Sequence, residues 1–392
     1  MTLLICVLIF LLCVLLLPVM VLTIQAVAAH SMQPRKHAAS GQVSSVAILI
    51  PAHNEASGIA TTLNSILPQL RLQDRIVVVA DNCQDETAKV AKDLGVEAIE
   101  RHDTTKRGKG YALDFGLKYI QESPPEVVLI VDADCIVAPG TIDLLASACV
   151  NLQRPVQALY LMKNPPQVGL KARISEFAWV VRNQVRPLGM ANLGLPCQLM
   201  GTGMAFLWED IKQVNLASGH IVEDMKLGVD FARMGKPPAF VPDALVTSYF
   251  PIEDQASTTQ RTRWEHGHLS VIVNDLPKLA GRAMLDRNTR TLAMAADLLV
   301  PPLALLSMLC VLLSALAFVG YTVQPNIWLL ALPACLLGLL WLAVGLAWWG
   351  YARHIISLGQ LCYVPVYVLA KLPIYLKFFV RRQVEWVRSK RD

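Results

Sequence analysis

Val127-Val128-Leu129-Ile130-Val131-Asp132-Ala133-Asp134 is the stretch that decides how this chain is read. Five consecutive apolar residues, mostly β-branched, predict a strand buried on both faces, as in the interior of a parallel sheet. The strand runs straight into two carboxylates one residue apart. Ligands of open α/β sheets gather at the carboxyl ends of the strands, so chemistry is expected here. Two aspartates at this spacing suit a hard divalent cation shared with a substrate phosphate. The competing reading is an Asp-x-Asp that only opens a turn.

The flanking sequence repeats the same grammar. Val46 to Ile50 is a buried strand ending at Pro51-Ala52-His53-Asn54-Glu55, and an amphipathic helix follows with Ile59, Leu63, Ile66 and Leu67 on one face. Arg75 to Ala80 is a second strand, ending at Asp81; a helix to Leu94 leads to a short strand from Val96 to Glu100. Lys106-Arg107-Gly108-Lys109-Gly110 then opens a helix through Leu117. Strand–helix alternation at this period predicts an α/β fold with a mostly parallel sheet and helices on both faces. No G-x-G-x-x-G follows the first strand, which disfavours a dinucleotide dehydrogenase.

Beyond the opening stretch the pattern is less regular. Arg173 to Val185 reads as a helix, and Gly201-Thr202-Gly203 as a turn into a strand. Ile221-Val222-Glu223-Asp224 opens a helix carrying Leu227, Val229 and Phe231; the helix dipole alone would favour carboxylates in that first turn. Pro237 to Val246 is a further short strand, and the polar stretch Glu253 to His268 contains Gln260-Arg261-Thr262-Arg263-Trp264. Glu265-His266-Gly267-His268 lacks the spacing of a helical zinc-binding histidine pair.

Of the 392 residues, 54% are hydrophobic and 17% charged, against a charged share of about a quarter in soluble domains. Long apolar runs account for the difference. Thr2 to Ala29 is long enough to cross a bilayer. No Lys or Arg precedes it, as a secretory signal would need, and Arg35 and Lys36 follow it. The positive-inside rule then puts the N-terminus outside and the following domain in the cytoplasm. Leu292 to Val323, with Asp297 near its start and Pro301-Pro302 as a kink, and Ile327 to Gly350 form two more spans. Ile355 to Val380 carries Pro365, Lys371, Pro373 and Lys377 and runs into a basic tail from Arg381 to Arg391; it suits an interfacial or re-entrant helix, with a fourth span as the alternative. The expected organisation is an anchor over residues 1–30, a cytoplasmic domain over 31–290, two spans over 291–352 and an interfacial segment with its tail over 353–392. The nine cysteines show no CxxC pair and suit a reducing compartment, and the net charge of +5 is thinly spread.

Five ordered signals carry a resemblance: the Pro51 to Glu55 turn, Asp81, Asp132-Ala133-Asp134, Glu223-Asp224, and Gln260 to Trp264. Together they resemble family 2 glycosyltransferases, in the membrane-integrated branch that includes cellulose, hyaluronan and poly-N-acetylglucosamine synthases and ceramide glucosyltransferases. The resemblance implies a GT-A domain with a mostly parallel mixed sheet, flanked by transmembrane helices, and an inverting transfer of sugar from a UDP-linked donor. By that likeness Ala52 and Glu55 border the base and ribose, Asp81 hydrogen-bonds the base, and Lys109 sets a cation near the nucleotide. Asp132 touches ribose or donor sugar, and Asp134 with Asp132 holds Mg²⁺ or Mn²⁺. Asp224, with Glu223 beside it, matches the catalytic carboxylates and acts as general base; Val222 stands where many relatives have Thr. Gln260, Arg263 and Trp264 match Gln-x-x-Arg-Trp: Arg263 offers a planar fork to the diphosphate, while Trp264 and Gln260 serve the acceptor.

The implied setting is the bacterial inner membrane, with the bilayer, a membrane-embedded glycan or lipid acceptor and export or polymerisation partners, and no nucleic acid. Two acceptor readings stay open: a growing or lipid-linked glycan in exopolysaccharide or envelope polysaccharide synthesis, and a single addition to a ceramide-like or polyprenyl-phosphate lipid. A degenerate, non-enzymatic relative would be expected to lack one of the carboxylates, and all are present.

Overall fold

A computed structural model describes residues 2–31, 43–165, 168–217, 222–251 and 254–361, with isolated positions 219, 363, 364, 368 and 375. Most of the expected interfacial segment and all of the basic tail lie outside the described residues, as does Ile221.

The chain opens with helix α1 (Thr2–Ser31), then alternates β1 (Val46–Ala52), α2 (Ile59–Ile66), β2 (Arg75–Asp81), α3 (Thr87–Asp93), β3 (Glu97–Arg101), α4 (Lys109–Ile120) and β4 (Val127–Ile130). The irregular middle contains β5 (Ile136–Val137), α5 (Thr141–Leu152), β6 (Val156–Lys163), α6 (Leu170–Val180), a π-helical turn at Val181–Val185, and α7 (Arg186–Asn192). Next come β7 (Met204–Leu207), the single turn α8 (Trp208–Ile211), α9 (Glu223–Arg233) and β8 (Ala239–Tyr249). Helices α10 (Asp254–Asn274), α11 (Leu276–Leu285) and α12 (Thr289–Leu299) lead to the apolar pair α13 (Leu303–Val323) and α14 (Trp328–Ala347).

The eight strands form one mixed sheet in the order β3-β2-β1-β4-β7-β6-β8-β5. The first four strands in that order run parallel, and β7 turns antiparallel against β4. Alternation in the parallel strands sends apolar side chains to both faces. Ile48, Ile50, Val78 and Leu129 pack into one core layer, and Leu49, Val77, Val128 and Ile130 into the other. That is why these strands read as continuous apolar runs. The mostly parallel GT-A-type sheet is therefore present, with the antiparallel members confined to its second half.

Three helices are long and apolar enough to cross a membrane: Leu3–Ser31, Leu303–Val323 and Trp328–Ala352. The middle one starts later than the sequence suggested. Pro301 and Pro302 lie in a break between α12 and α13, so residues 289–299 form a separate helix instead of the kinked start of a span. Proline at both positions removes backbone donors that a continuous helix would use.

Helix α1 is built into the domain as well as against its apolar partners. It packs along α7, α13 and α14. At Gly189 of α7 an added Cβ would fall 2.0 Å from the backbone oxygen of Gln25, so the two backbones touch there. Beside this contact Gln25 Nε2 donates to Asp297 Oδ1 at 2.7 Å, and Arg186 Nη2 meets the same oxygen at 2.8 Å. A Gly189→Ala substitution must push α1 off α7, and overpacking of this kind costs about 1–3 kcal/mol. Thermal unfolding of the detergent-solubilised chain is expected to show a lowered midpoint for Gly189→Ala; an unchanged midpoint would refute the close contact.

Candidate active site

The parallel register sets the site. β1 and β2 pair Ala52 with Ala80, and β1 and β4 pair Leu49 with Ile130; Val131 extends that ladder by donating to Leu49 O at 3.1 Å. Ala52, Asp81 and Asp132 consequently emerge on one edge of the sheet. The loop after β1 is fixed from the next strand's loop: Glu55 N–H donates to Thr87 Oγ1 at 2.9 Å, and Ala56 N–H to Asp85 Oδ2 at 3.1 Å. Asp85 also accepts from Thr87 N–H at 3.1 Å. Asp85 thus satisfies a backbone donor at the start of α3, and Asp81 lines the cleft.

Asp81 has a partner that the sequence reading missed. Arg101 is its cross-strand neighbour in the β2–β3 register, and Nη1 lies 2.6 Å from Asp81 Oδ1 with both side chains nearly buried. The signal was an arginine one residue past the expected end of β3. Arg101 Nη2 also donates to Lys106 O at 2.8 Å, which ties down the loop that delivers Lys109.

Lys109, in the first turn of α4, is the centre of the cluster. Its Nζ lies 2.5 Å from Asp132 Oδ1 and 3.7 Å from Glu223 Oε1, and donates to Gly201 O at 2.7 Å. Gly201 has φ +93, and a Cβ there would stand 3.3 Å from Asp224 Oδ2; glycine lets the main chain turn toward the lysine with the carboxylate close behind. The next residue, Thr202, is buried and accepts the Asp132 N–H on Oγ1 at 3.0 Å. Burial opposes charge on Lys109, yet Asp132 and Glu223 outweigh it and hold the ammonium protonated above its ordinary range. Glu223 and Asp224 stand above the usual carboxylate range. Burial is the main cause for both, and Lys109 pulls each back down.

Helix α10 closes the site. At Gly267 a Cβ would fall 2.3 Å from Val222 Cγ1, so α10 lies directly on the residue that precedes Glu223. This contact brings the two motifs together. A polar cavity of about 160 Å³ contains Ala52, Glu55, Asp81, Asp134 and Ala112. A second chamber contains Glu223, Asp224, Tyr160, Trp179, Arg182 and Trp264. Lys109, Asp132, Gln260 and Arg263 line both, forming the boundary between them. Every residue to which the resemblance gives a role therefore lines one chamber or the other.

A profile described as glycosyltransferase-like family 2 matches residues 44–267, more than half of the chain. The chain belongs to that family. Among curated proteins it is 25% identical over 259 residues to the probable glycosyltransferase YdaM of Bacillus subtilis, covering 59% of this chain and 57% of that protein. It is 26% identical over 275 residues to an N-acetylglucosaminyltransferase of Rhizobium leguminosarum, covering 66% and 62%. The chain thus spans less than two thirds of the length of either relative. In fold it is similar to the mannosyltransferase PcManGT of Pyrobaculum calidifontis, solved with GDP-Man and Mn²⁺, with a TM-score of 0.56 at 15% identity over 96% of this chain and all of that one.

For a family 2 glycosyltransferase, the donor set at Asp132 and Asp134 fits a divalent cation that finds its other ligands elsewhere. Both aspartates line the first chamber, and among the described residues no three histidine, cysteine or acidic side chains gather as a complete metal cage. Mg²⁺ and Mn²⁺ are commonly bound by one or two carboxylates, with phosphate oxygens and water completing the shell.

Besides Arg101, the sequence reading missed Trp179 and Arg182. Trp179 packs against Trp264 with ring centroids 4.9 Å apart and edge-on against Tyr160 at 5.4 Å. Arg182 sits in the π-helical turn, a local irregularity that no sequence period announces and that often marks functional sites.

Lys109→Met removes the cation that opposes the upward shift of both carboxylates. The Glu223 and Asp224 carboxyls are expected to ionise at higher pH in Lys109→Met, and an acidic limb of the pH–activity profile that depends on them moves up with them. Rates measured at saturating donor test this, and a limb that stays in place or moves down would contradict the assigned coupling.

Proposed function

We propose that the chain is a membrane-held, inverting glycosyltransferase that moves a sugar from a nucleoside diphosphate donor to a membrane-anchored acceptor. The observation that carries this reading is the shared boundary of Lys109, Asp132, Gln260 and Arg263 between a polar chamber lined by Asp81 and Asp134 and a chamber holding a shifted carboxylate pair.

In the first chamber Asp81 and Glu55 take the base and ribose side, with Ala52 behind them. Asp132 faces the donor sugar or ribose. Arg263 and Lys109 meet the diphosphate; a guanidinium offers two parallel donors to phosphate oxygens. A Mg²⁺ or Mn²⁺ ion held by Asp134 and Asp132 supplies Lewis-acid neutralisation of the diphosphate when bound. In the second chamber Asp224 accepts the proton of the acceptor hydroxyl. The hydroxyl oxygen then forms its bond to the anomeric carbon, and the bond from that carbon to the diphosphate breaks. The electron pair leaves with the nucleoside diphosphate, and one displacement inverts the anomeric centre. A base with a raised pKa retains more driving force for this proton transfer near neutral pH. Trp264, backed by Trp179, supplies an apolar face for the acceptor, and Gln260 a polar contact beside it.

The three apolar helices support placement in a bilayer. Basic residues follow the first helix at Arg35 and Lys36 and the third at Arg353, which supports a cytoplasmic catalytic domain in a bacterial inner membrane. The name of the Rhizobium relative supports an amino sugar donor, and UDP follows from the family resemblance. The branch resemblance supports envelope or exopolysaccharide synthesis, with export or polymerisation partners completing any channel. The single-addition lipid reading has its own observation in its favour: an apolar cavity that shares Trp179, Arg182 and Trp264 with the catalytic chamber.

Asp224→Asn is expected to lower turnover by about 10²–10⁴-fold, the usual worth of a positioned general base, while binding of the nucleoside diphosphate stays unchanged. Release of nucleoside diphosphate from the purified full chain measures the first and calorimetry the second; undiminished turnover would remove Asp224 from the mechanism. Trp264→Ala is expected to raise the KM for acceptor while leaving the donor KM in place, and equal acceptor KM would refute the apolar platform.

A further inference from the structure

The mechanism leaves one cation at the catalytic chamber without a task. Arg182 projects from the π-helical turn beside Asp224, Trp179 and Trp264. Among the described residues its guanidinium forms no ion pair; its recorded contact is Nη2 at 3.7 Å from Met225 Sδ. Burial lowers its pKa, and the charges of Asp224, Asp297 and Glu265 act on it in the opposite direction. A guanidinium held in this way has donors to spare, and its planar fork matches a phosphate. The donor is not the natural counter-ion, because Arg182 is absent from the chamber that contains Asp81 and Asp134.

The same guanidinium lines an apolar cavity of about 140 Å³, whose walls include Leu22, Ile174, Phe177, Val300 and Leu303. Leu22 belongs to the domain-proximal half of α1, Leu303 opens α13, and Val344, also on the wall, lies near the end of α14. All three apolar helices therefore contribute the ends that meet the catalytic domain. The break at Val300–Pro302 forms part of the wall. The other ionisable groups at this cavity are a paired cation, a carboxylate and an uncharged imidazole. Arg186 is paired with Asp297, and Glu265 has a partner of its own. His268 is held uncharged by burial and by Arg182 and Arg186.

We infer that the acceptor is an amphiphile whose head carries a phosphate next to its reacting hydroxyl: the hydrocarbon chain lies in the apolar cavity, Arg182 holds the phosphate, and the hydroxyl reaches Asp224. A lipid carrier that joins its chain to a sugar through phosphate meets all three demands. The phosphate is a handle and is not consumed; the bonds made and broken are those of the sugar transfer above. The inference rests on the reading of the second chamber as the acceptor side.

The test uses the detergent-solubilised full chain with three probes: a polyprenyl phosphate, the uncharged polyprenol of equal length, and inorganic phosphate. Polyprenyl phosphate is expected to bind at least about tenfold tighter than polyprenol, as a charge-assisted arginine–phosphate pair provides, and inorganic phosphate far more weakly than either. Arg182→Gln is expected to reduce the tenfold preference to about twofold or less, with UDP affinity unchanged, and Arg182→Lys to restore part of it. Equal affinity for phosphate and alcohol in the unmodified chain would overturn the proposal, as would a preference that survives Arg182→Gln. Inorganic phosphate binding as tightly as the lipid would make this a soluble-anion site, and a parallel loss of UDP affinity would move Arg182 to the donor side; either result overturns it. Failure of the unmodified chain to bind UDP would instead count against the donor chamber, and the lipid comparison would still be decided on its own.

Discussion

One ammonium group among carboxylates sets the character of the site. Lys109 bridges Asp132, at the end of a central strand, and Glu223, at the start of a helix nearly a hundred residues further on, while Gly201 supplies a carbonyl between them. Without it, Asp132, Glu223 and Asp224 would be like charges crowded together with little water to screen them. The lysine allows acidic side chains to be close enough for chemistry while the domain stays folded. Each member of the pair has a second cation besides: Arg263 also draws Glu223 down, and Arg182 draws Asp224 down.

Three of the four parallel strands, β1, β2 and β4, were legible because burial on both faces leaves a plain signature, a run of apolar residues ending in polar ones. Val46 to Ala52 and Val127 to Ile130 show it directly. The site residues were legible for a different reason: they sit at the ends of those strands or in short ordered motifs, so the pattern and the chemistry coincide. What escaped depends on contacts between elements. Arg101 matters through its register with Asp81, and register cannot be read from one strand alone. Arg182 and Trp179 lie in a helix whose π-helical turn redirects the side chains, and helical periodicity gives no warning of that. The separation of α12 from α13 was hidden in the same way, because the residues on either side of Pro301 and Pro302 stay apolar and invite reading as one span.

Glycine does much of the assembling. Gly189 admits the main chain of α1, and Gly267 admits Val222. Each is a place where two elements distant in sequence come close because the glycine adds no side chain of its own. The Glu223–Asp224 pair and the Arg263-Trp264 motif are brought together by the second of these contacts, and the apolar helix is joined to the domain by the first. Conserving volume at such positions matters more than conserving polarity, since the constraint is steric.

The junction of α1 with α7 and α12 has a consequence for reach. Gln25, Asp297 and Arg186 form a buried polar knot beside the Gly189 contact, so the first apolar helix and the catalytic domain share one rigid frame. With α1 in a bilayer, the height of Asp224 above the membrane is set by the fold and not by a tether. The chain would then act as a gauge: a hydroxyl carried at the matching height is presented for transfer, and one riding much nearer or farther from the lipid passes by.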